Sequence, residues 1–291
     1  MKLNEPEYHA LISLLDDDDS EVLEHVIQKI ESIGTIGLPL LQQYIDADSN
    51  SKISQKCNEI IQKIHFSEIY EALKKWQSQE EGDLLQALLL VAKVKYPYLD
   101  IATVTLQVER IVQRIWLRIY QSQSNFEQIQ VINYALFREL DIEVKSANEA
   151  YDTDAYLIPS ILETKRANTF GLSLLYMIIG QSLDLPLYHV QLPYNSVLLL
   201  TRRWFSQSTI NSISIPDDIL FYVNPLHHGN TFPVSEIEDY LRKNKINFSE
   251  SFFKPVSNKE ILKLLIKAII QHLDKKDTSL KHLYERLSNL A

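Results

Sequence analysis

Only 6 of the 291 residues are glycine. Tight hairpins and close backbone approaches draw on glycine because it lacks a Cβ. Such scarcity favours long helices joined by short breaks over a sheet built from many hairpins. The chain is long enough to bury a substantial core, as one large or two modest domains. With 45% hydrophobic and 23% charged residues and no low-complexity tract, intrinsic disorder is excluded.

Helical periodicity dominates the first half. Tyr8, Leu11, Ile12, Leu14 and Leu15 form one apolar stripe, and Val22, Leu23, Val26, Ile27 and Ile30 form the next. Between them, Asp16 to Ser20 make an acidic corner. It lacks the alternating ligands and following glycine of a calcium loop, so Asp19 or Ser20 reads as a helix cap. After a break at Ser32 to Pro39, helical patterning returns over Leu40 to Ile45 and Ile53 to Ile64. This succession resembles a HEAT-type repeat, and a small helical cap on the following domain explains it equally well. Further helices read over Ile69 to Trp76, Leu84 to Val94, Ile101 to Tyr120 and Phe126 to Leu140, with Asp100 capping the third after the Tyr96-Pro97 stop. Trp76, Tyr96, Trp116, Tyr134 and Phe137 fall on or beside these stripes and read as core.

Beyond Ala147 the pattern changes. A polar segment reaches Asp154, a strongly apolar helix runs from Thr169 to Leu183, and β-formers gather at Leu187 to Leu192, Val197 to Trp204 and Ile219 to Val223. Asn258 to Leu273 and Ser279 to Leu290 close the chain as a helical hairpin whose Lys-rich faces read as solvated surface. The expected architecture is predominantly helical α+β. It divides into a HEAT-like region (1–65), a helical region packed on the core (66–145), the core itself (146–256) and the hairpin (257–291).

The formal charge of −9 is uneven: residues 1–150 carry 14 basic and 24 acidic side chains, residues 151–291 carry 15 and 14. An acidic half without a basic face argues against nucleic acid. It suits a basic protein partner, beside the plainer reading of a solvated acidic surface. One cysteine, Cys57, excludes an internal disulfide and a multi-cysteine metal knuckle and makes a reducing cytoplasm the default. Met1 to Glu7 show no secretory signal, and charge interrupts every apolar stretch well short of the ~18 residues a membrane span needs. Cys57 precedes a helical apolar stripe with no histidine beside it and reads as a packed or semi-exposed structural thiol.

Four segments in order carry a family resemblance: Lys165-Arg166-Ala167-Asn168-Thr169-Phe170-Gly171-Leu172-Ser173, Leu183-Asp184-Leu185-Pro186-Leu187-Tyr188, Val190-Gln191-Leu192-Pro193-Tyr194-Asn195-Ser196-Val197, and Val223-Asn224-Pro225-Leu226-His227-His228-Gly229. Together they resemble the SirB-type branch of the transglutaminase-like superfamily, and the helical flanks extend the likeness over nearly the whole chain. The resemblance implies a buried helix against a small antiparallel sheet. It also implies a place for a triad in which a thiolate attacks, an imidazole takes the proton and a carboxylate fixes the imidazole.

The Cys position falls on Thr169, the His position on Asn195 and the Asp position on Asn224. A threonine hydroxyl needs a base, and neither asparagine titrates, so none can play its part. Loss of the Cys is common in the SirB-type branch; loss of the His and Asp goes beyond it. The family's glycines are here Ala167, Asp184, His189 and Tyr194, so added bulk is expected to fill the old pocket. His189 and His227 are the candidates for a relocated base. His227-His228 reads as a turn with one exposed and one packed histidine; on an extended segment the two would point to opposite faces and not share a metal ion. Arg166 is expected to anchor its loop through carbonyls, Asp152 or Asp154. The leading reading is a catalytically inactive interaction or regulatory protein without cofactor or metal, meeting an unknown protein partner through the acidic helical half. The competitor is a residual cysteine-independent amidase or acyltransferase.

Overall fold

The computed structural model describes residues 4–47, 51–145, 152–214, 217–274 and 276–290. Much of the polar segment expected after Ala147, and the boundary expected at 145/146, lie outside the described residues. The chain forms two compact units, Met1–Ala72 and Leu73–Ala291.

In the first unit, α1 (Glu5–Ser13), α2 (Ser20–Ile33), α3 (Leu38–Ala47) and the start of α4 (Lys52–Gln77) follow in order. Their apolar stripes close on one core that includes Tyr8, Ile12, Leu15, Val26, Ile30 and Leu41. Asp19 caps α2, its Oδ1 accepting the Glu21 N–H at 2.9 Å, as the acidic corner predicts. Cys57 is fully buried in the same core, and burial pushes its thiol pKa up to about 11. The break expected between Ile64 and Ile69 is absent. No Gly or Pro interrupts that stretch, and Phe66 and Ile69 stay buried within one continuous α4.

The second unit opens on α5 (Leu84–Lys95), capped by Asp83 and buried on most sides, and α6 (Ile101–Trp116), capped by Asp100 through the Ala102 N–H at 3.1 Å. α7 (Asn125–Tyr134) starts with a reciprocal Ser124–Glu127 capping box and runs into one π-helical turn over Ala135–Glu139. Of the aromatics expected in the core, Trp76 and Phe137 are buried, but Trp116 and Tyr134 are exposed. α6 buries Val104, Val108, Ile111 and Ile115, and Trp116 lies one residue further round the helix, off that face. Tyr134 carries the Arg118 guanidinium over its ring at 5.8 Å.

Next, β1 (Glu143–Lys145) pairs in parallel with β2 (Arg166–Asn168), the two separated by the short helix α8 (Ile158–Thr164). α9 (Thr169–Ser182) follows directly, with every residue from Thr169 to Gly180 buried, so it is apolar on all sides. β3 (Leu187–Leu192), β4 (Asn195–Thr201), β5 (Ile219–Asn224) and β6 (Asn230–Phe232) make an antiparallel sheet in that order. The register pairs Leu192 with Asn195, leaving Pro193 and Tyr194 as the turn. Alternation sends Tyr188, Val190, Leu192, Val197 and Leu199 into a core completed by Tyr222, Ile237 and Phe253. Leu187, His189, Leu198 and Leu200 therefore occupy the other face, and β3 and β4 both contact α9. Ile237 and Leu241 come from α10 (Val234–Lys243), a helix the strand-rich reading of this region did not anticipate.

The chain ends in α11 (Asn258–His272) and α12 (Thr278–Ser288), which pack together as the expected hairpin. The fold is predominantly helical α+β, as expected. No helix among the described residues is long and apolar enough to cross a membrane.

Candidate functional site

α9 begins where β2 ends, so its first residues are held by strand pairing on one side and by helix capping on the other. Asn168 is the N-cap: the Gly171 N–H donates to its Oδ1 at 2.7 Å. Glycine is required at 171, because a Cβ there would stand 2.5 Å from the Ala155 carbonyl oxygen. Thr169 is the first helical residue and only 8% exposed.

Asn195 opens β4 and uses its amide locally, its Oδ1 accepting the Ser196 N–H at 2.8 Å. Asn224 ends β5, and its Oδ1 accepts the Leu226 N–H at 3.1 Å, capping the next turn. Thr169 and Asn195 share a cleft of about 510 Å³, walled also by Asn168, Phe170 and Tyr194. Asn224, His189 and His227 are not part of its lining. The structure thus brings together two of the three triad positions.

The expectation that bulk fills this pocket is corrected. Tyr194 is 83% exposed and sits in the left-handed region at φ 63°, so its ring stands at the cleft edge. Asp184 has φ 62°. Two positions where the resembling family has glycine therefore keep the backbone conformation glycine favours, at a cost of about 1–2 kcal/mol each.

His189 is fully buried on β3 and faces α9. Its Nδ1 lies 2.8 Å from the Ser173 hydroxyl and its Nε2 lies 3.2 Å from Gln191 Oε1. Gln191 Nε2 donates to the Leu192 and Asn195 carbonyls, at 2.8 and 3.1 Å, which turns Oε1 toward the imidazole. His189 therefore carries its proton on Nε2, and Nδ1 accepts from Ser173. The Ser173 hydroxyl also lies 2.7 Å from the Phe170 carbonyl and shares its one proton between the two acceptors. Burial lowers the His189 pKa from 6.5 to about 4, so the ring is neutral at pH 7. Phe170 closes over it edge-on, with centroids 5.0 Å apart. A hydroxyl–imidazole–carboxamide chain exists here, one turn beyond the Cys position and shut from solvent.

The His227-His228 segment is a turn. Pro225–His227 form one 3₁₀ turn, His228 has φ 52°, and both rings are exposed, with His228 packing edge-on against Phe137. Among the described residues, no group of three or more His, Cys, Asp or Glu is placed to hold a metal ion. Arg166 is exposed, and its Nε lies 3.9 Å from Glu143 of the paired strand; its ion pair is with that residue and not with the expected Asp152 or Asp154. The Lys95 ammonium and the Tyr96 hydroxyl engage Asp154.

The wall that sequence reasoning missed comes from α11. Leu264, Lys267, Ala268, Gln271 and His272 recur at helical spacing and line the cleft. His272 stacks on Tyr156 with centroids 5.5 Å apart, and its Nδ1 lies 2.8 Å from the Ala268 carbonyl. The spacing marks these residues as one face, but nothing local says what that face meets.

The family profile of the transglutaminase-like superfamily matches residues 102–267, from α6 into α11, more than half of the chain. The chain belongs to the transglutaminase-like superfamily. Comparison with curated proteins and with solved structures gives no match.

Proposed function

We propose that this is a non-catalytic transglutaminase-like protein of the SirB-type branch, acting in the cytoplasm as a protein-interaction or regulatory module without cofactor or metal. The observation that carries the reading is the chemistry of the cleft: Thr169 and Asn195 face it, and among the described residues its lining contains no thiol and no carboxylate. No acid among the described lining residues is there to orient an imidazole beside the threonine. We assign the partner surface to the acidic helical half, with residues 1–65 as a HEAT-like region, 66–145 as helices supporting the core, 146–256 as the transglutaminase-like core and 257–291 as the hairpin. Asp16 and Asp18 are exposed at the corner before α2, partly offset by Lys52 at 3.7 and 3.4 Å.

The test has two arms. Incubation with amine and glutamine-peptide donors is expected to give no product, and turnover abolished by Thr169→Val would sink the reading. Affinity capture from the native cell is expected to recover a partner that is lost when Asp17, Asp18 and Glu21 are changed to Asn, Asn and Gln with melting unchanged. Removing residues 1–145 would be a poorer test, because Tyr176 in α9 donates to the Ile129 carbonyl and Asn133 Oδ1 of α7, at 3.3 and 2.8 Å.

The alternative, a cysteine-independent amidase or acyltransferase using His189 or His227, has the Ser173–His189 contact in its favour. It requires that pair to open to substrate. Turnover that is lost in Ser173→Ala and retained in Thr169→Val would establish it.

A further inference from the structure

The N-terminus of α9 forms part of the wall of the 510 Å³ cleft. The first N–H groups of a helix have no intrahelical acceptor, and their aligned dipoles favour negative charge. Three further observations bear on the same point. Asn168, only 3% exposed, commits its Oδ1 to the Gly171 N–H and leaves Nδ2 a buried donor with no partner. Such donors are uncommon in folded proteins because desolvation without replacement is costly. Lys267 brings an ammonium from the α11 wall. Finally, among the described residues no Asp or Glu lines the cleft, although the chain carries 38 acidic against 29 basic residues.

Donors and a cation without a competing acid specify an anion. One lysine, a neutral carboxamide and a helix end offset about one negative charge. That suits a carboxylate, whereas a phosphate dianion calls for a further fixed cation or an Arg fork. Phe170 and Tyr156 add apolar wall, and the volume falls within the roughly 300–1,000 Å³ of small-molecule sites.

We infer that the cleft binds an organic carboxylate, held by Asn168 Nδ2 and the α9 N-terminus with Lys267 opposite, its body against Phe170 and Tyr156. This goes beyond the partner-binding reading and stands whether or not the acidic helices have a partner. A free small acid and the C-terminus of a peptide share this chemistry.

Titration calorimetry on the full chain with four probes tests it: glutarate, an N-acetylated tetra-alanine with a free carboxylate, the same peptide as its C-terminal amide, and inorganic phosphate. At least one free acid is expected to bind, and the amide and phosphate to bind far more weakly. Asn168→Asp keeps the cap oxygen and removes the donor; Lys267→Gln removes the cation. Each is expected to weaken binding about tenfold or more, the effect of losing one charge-assisted hydrogen bond, with melting unchanged. Binding of glutarate assigns a small acid; binding of the peptide acid alone assigns a chain terminus. No binding of either acid at millimolar concentration, equal binding of acid and amide, equal binding of phosphate, or unchanged affinity in both variants would overturn the inference. Should Asn168→Asp fail to fold, the exposed Lys267→Gln decides alone.

Discussion

The Ser173 hydroxyl stands 2.8 Å from Nδ1 of His189, and neither side chain is reached by solvent. In an open cleft this contact would be a nucleophile and its base. Here it satisfies a buried imidazole between α9 and β3. Ser173→Ala should therefore cost stability, about 1–3 kcal/mol for an orphaned buried acceptor. Hydroxyl-directed acylating or phosphonylating reagents should leave the native protein unlabelled. Mass spectrometry of the treated protein and urea unfolding of the variant check the two halves.

Protonation of His189 should destabilise the fold. Its pKa is 6.5 when unfolded and about 4 when folded, so the unfolded chain binds the extra proton between those values. Stability should fall as pH drops from about 6.5 toward about 4, with up to about 3 kcal/mol from this group, and no further loss below that. Urea unfolding at pH 7 and pH 4.5 measures it. His189→Gln should flatten that part of the slope, and identical pH dependence in the two proteins would refute the assignment.

Gly229 has φ 74°, and a Cβ there would fall 1.7 Å from Asn133 Oδ1. Asn133 Nδ2 donates to the Gly229 carbonyl at 3.0 Å while its Oδ1 accepts from Tyr176. Gly229→Ala should lose about 2–4 kcal/mol through strain and a broken buried network. Asn133→Ala acts on the same network, so the double variant should lose less than the sum in a thermal-melting cycle.

Cys57 is fully buried with its thiol pKa near 11, so little thiolate forms at neutral pH. A disulfide reagent at pH 8 should find no reactive thiol in the native protein and one equivalent after denaturation. Fast native-state labelling would contradict the packing of the first unit.

Local rules carried the sequence reading where the signal was local. β3 spans Leu187–Leu192 as its β-formers predict, and Asp19 and Asp100 cap the helices they precede. The missed features are tertiary or mixed. Ile64 and Ile69 stand five positions apart, which mimics an interruption, yet without Gly or Pro the helix continues. α10 buries only Ile237 and Leu241, too few to distinguish it from a loop beside strands. The turn at His227 was legible in Asn224-Pro225, a turn-initiating pair, but the exposure of both histidines was not. That Ser173 meets His189, and Lys267 meets the cleft, depends on how α9 and α11 are packed, which no spacing along the chain encodes.

A cleft whose described lining holds no acid, on a molecule of net charge −9, has a kinetic consequence. Far from the surface an anion meets the field of the whole chain and is repelled; only within the cleft do Asn168 and Lys267 govern. Added salt screens the distant repulsion over about 10 Å at 0.1 M and reaches a desolvated contact much less. The arrival of an anionic ligand should therefore quicken with modest ionic strength, the reverse of electrostatically steered association, so that the protein filters its visitors by close fit and not by long-range capture.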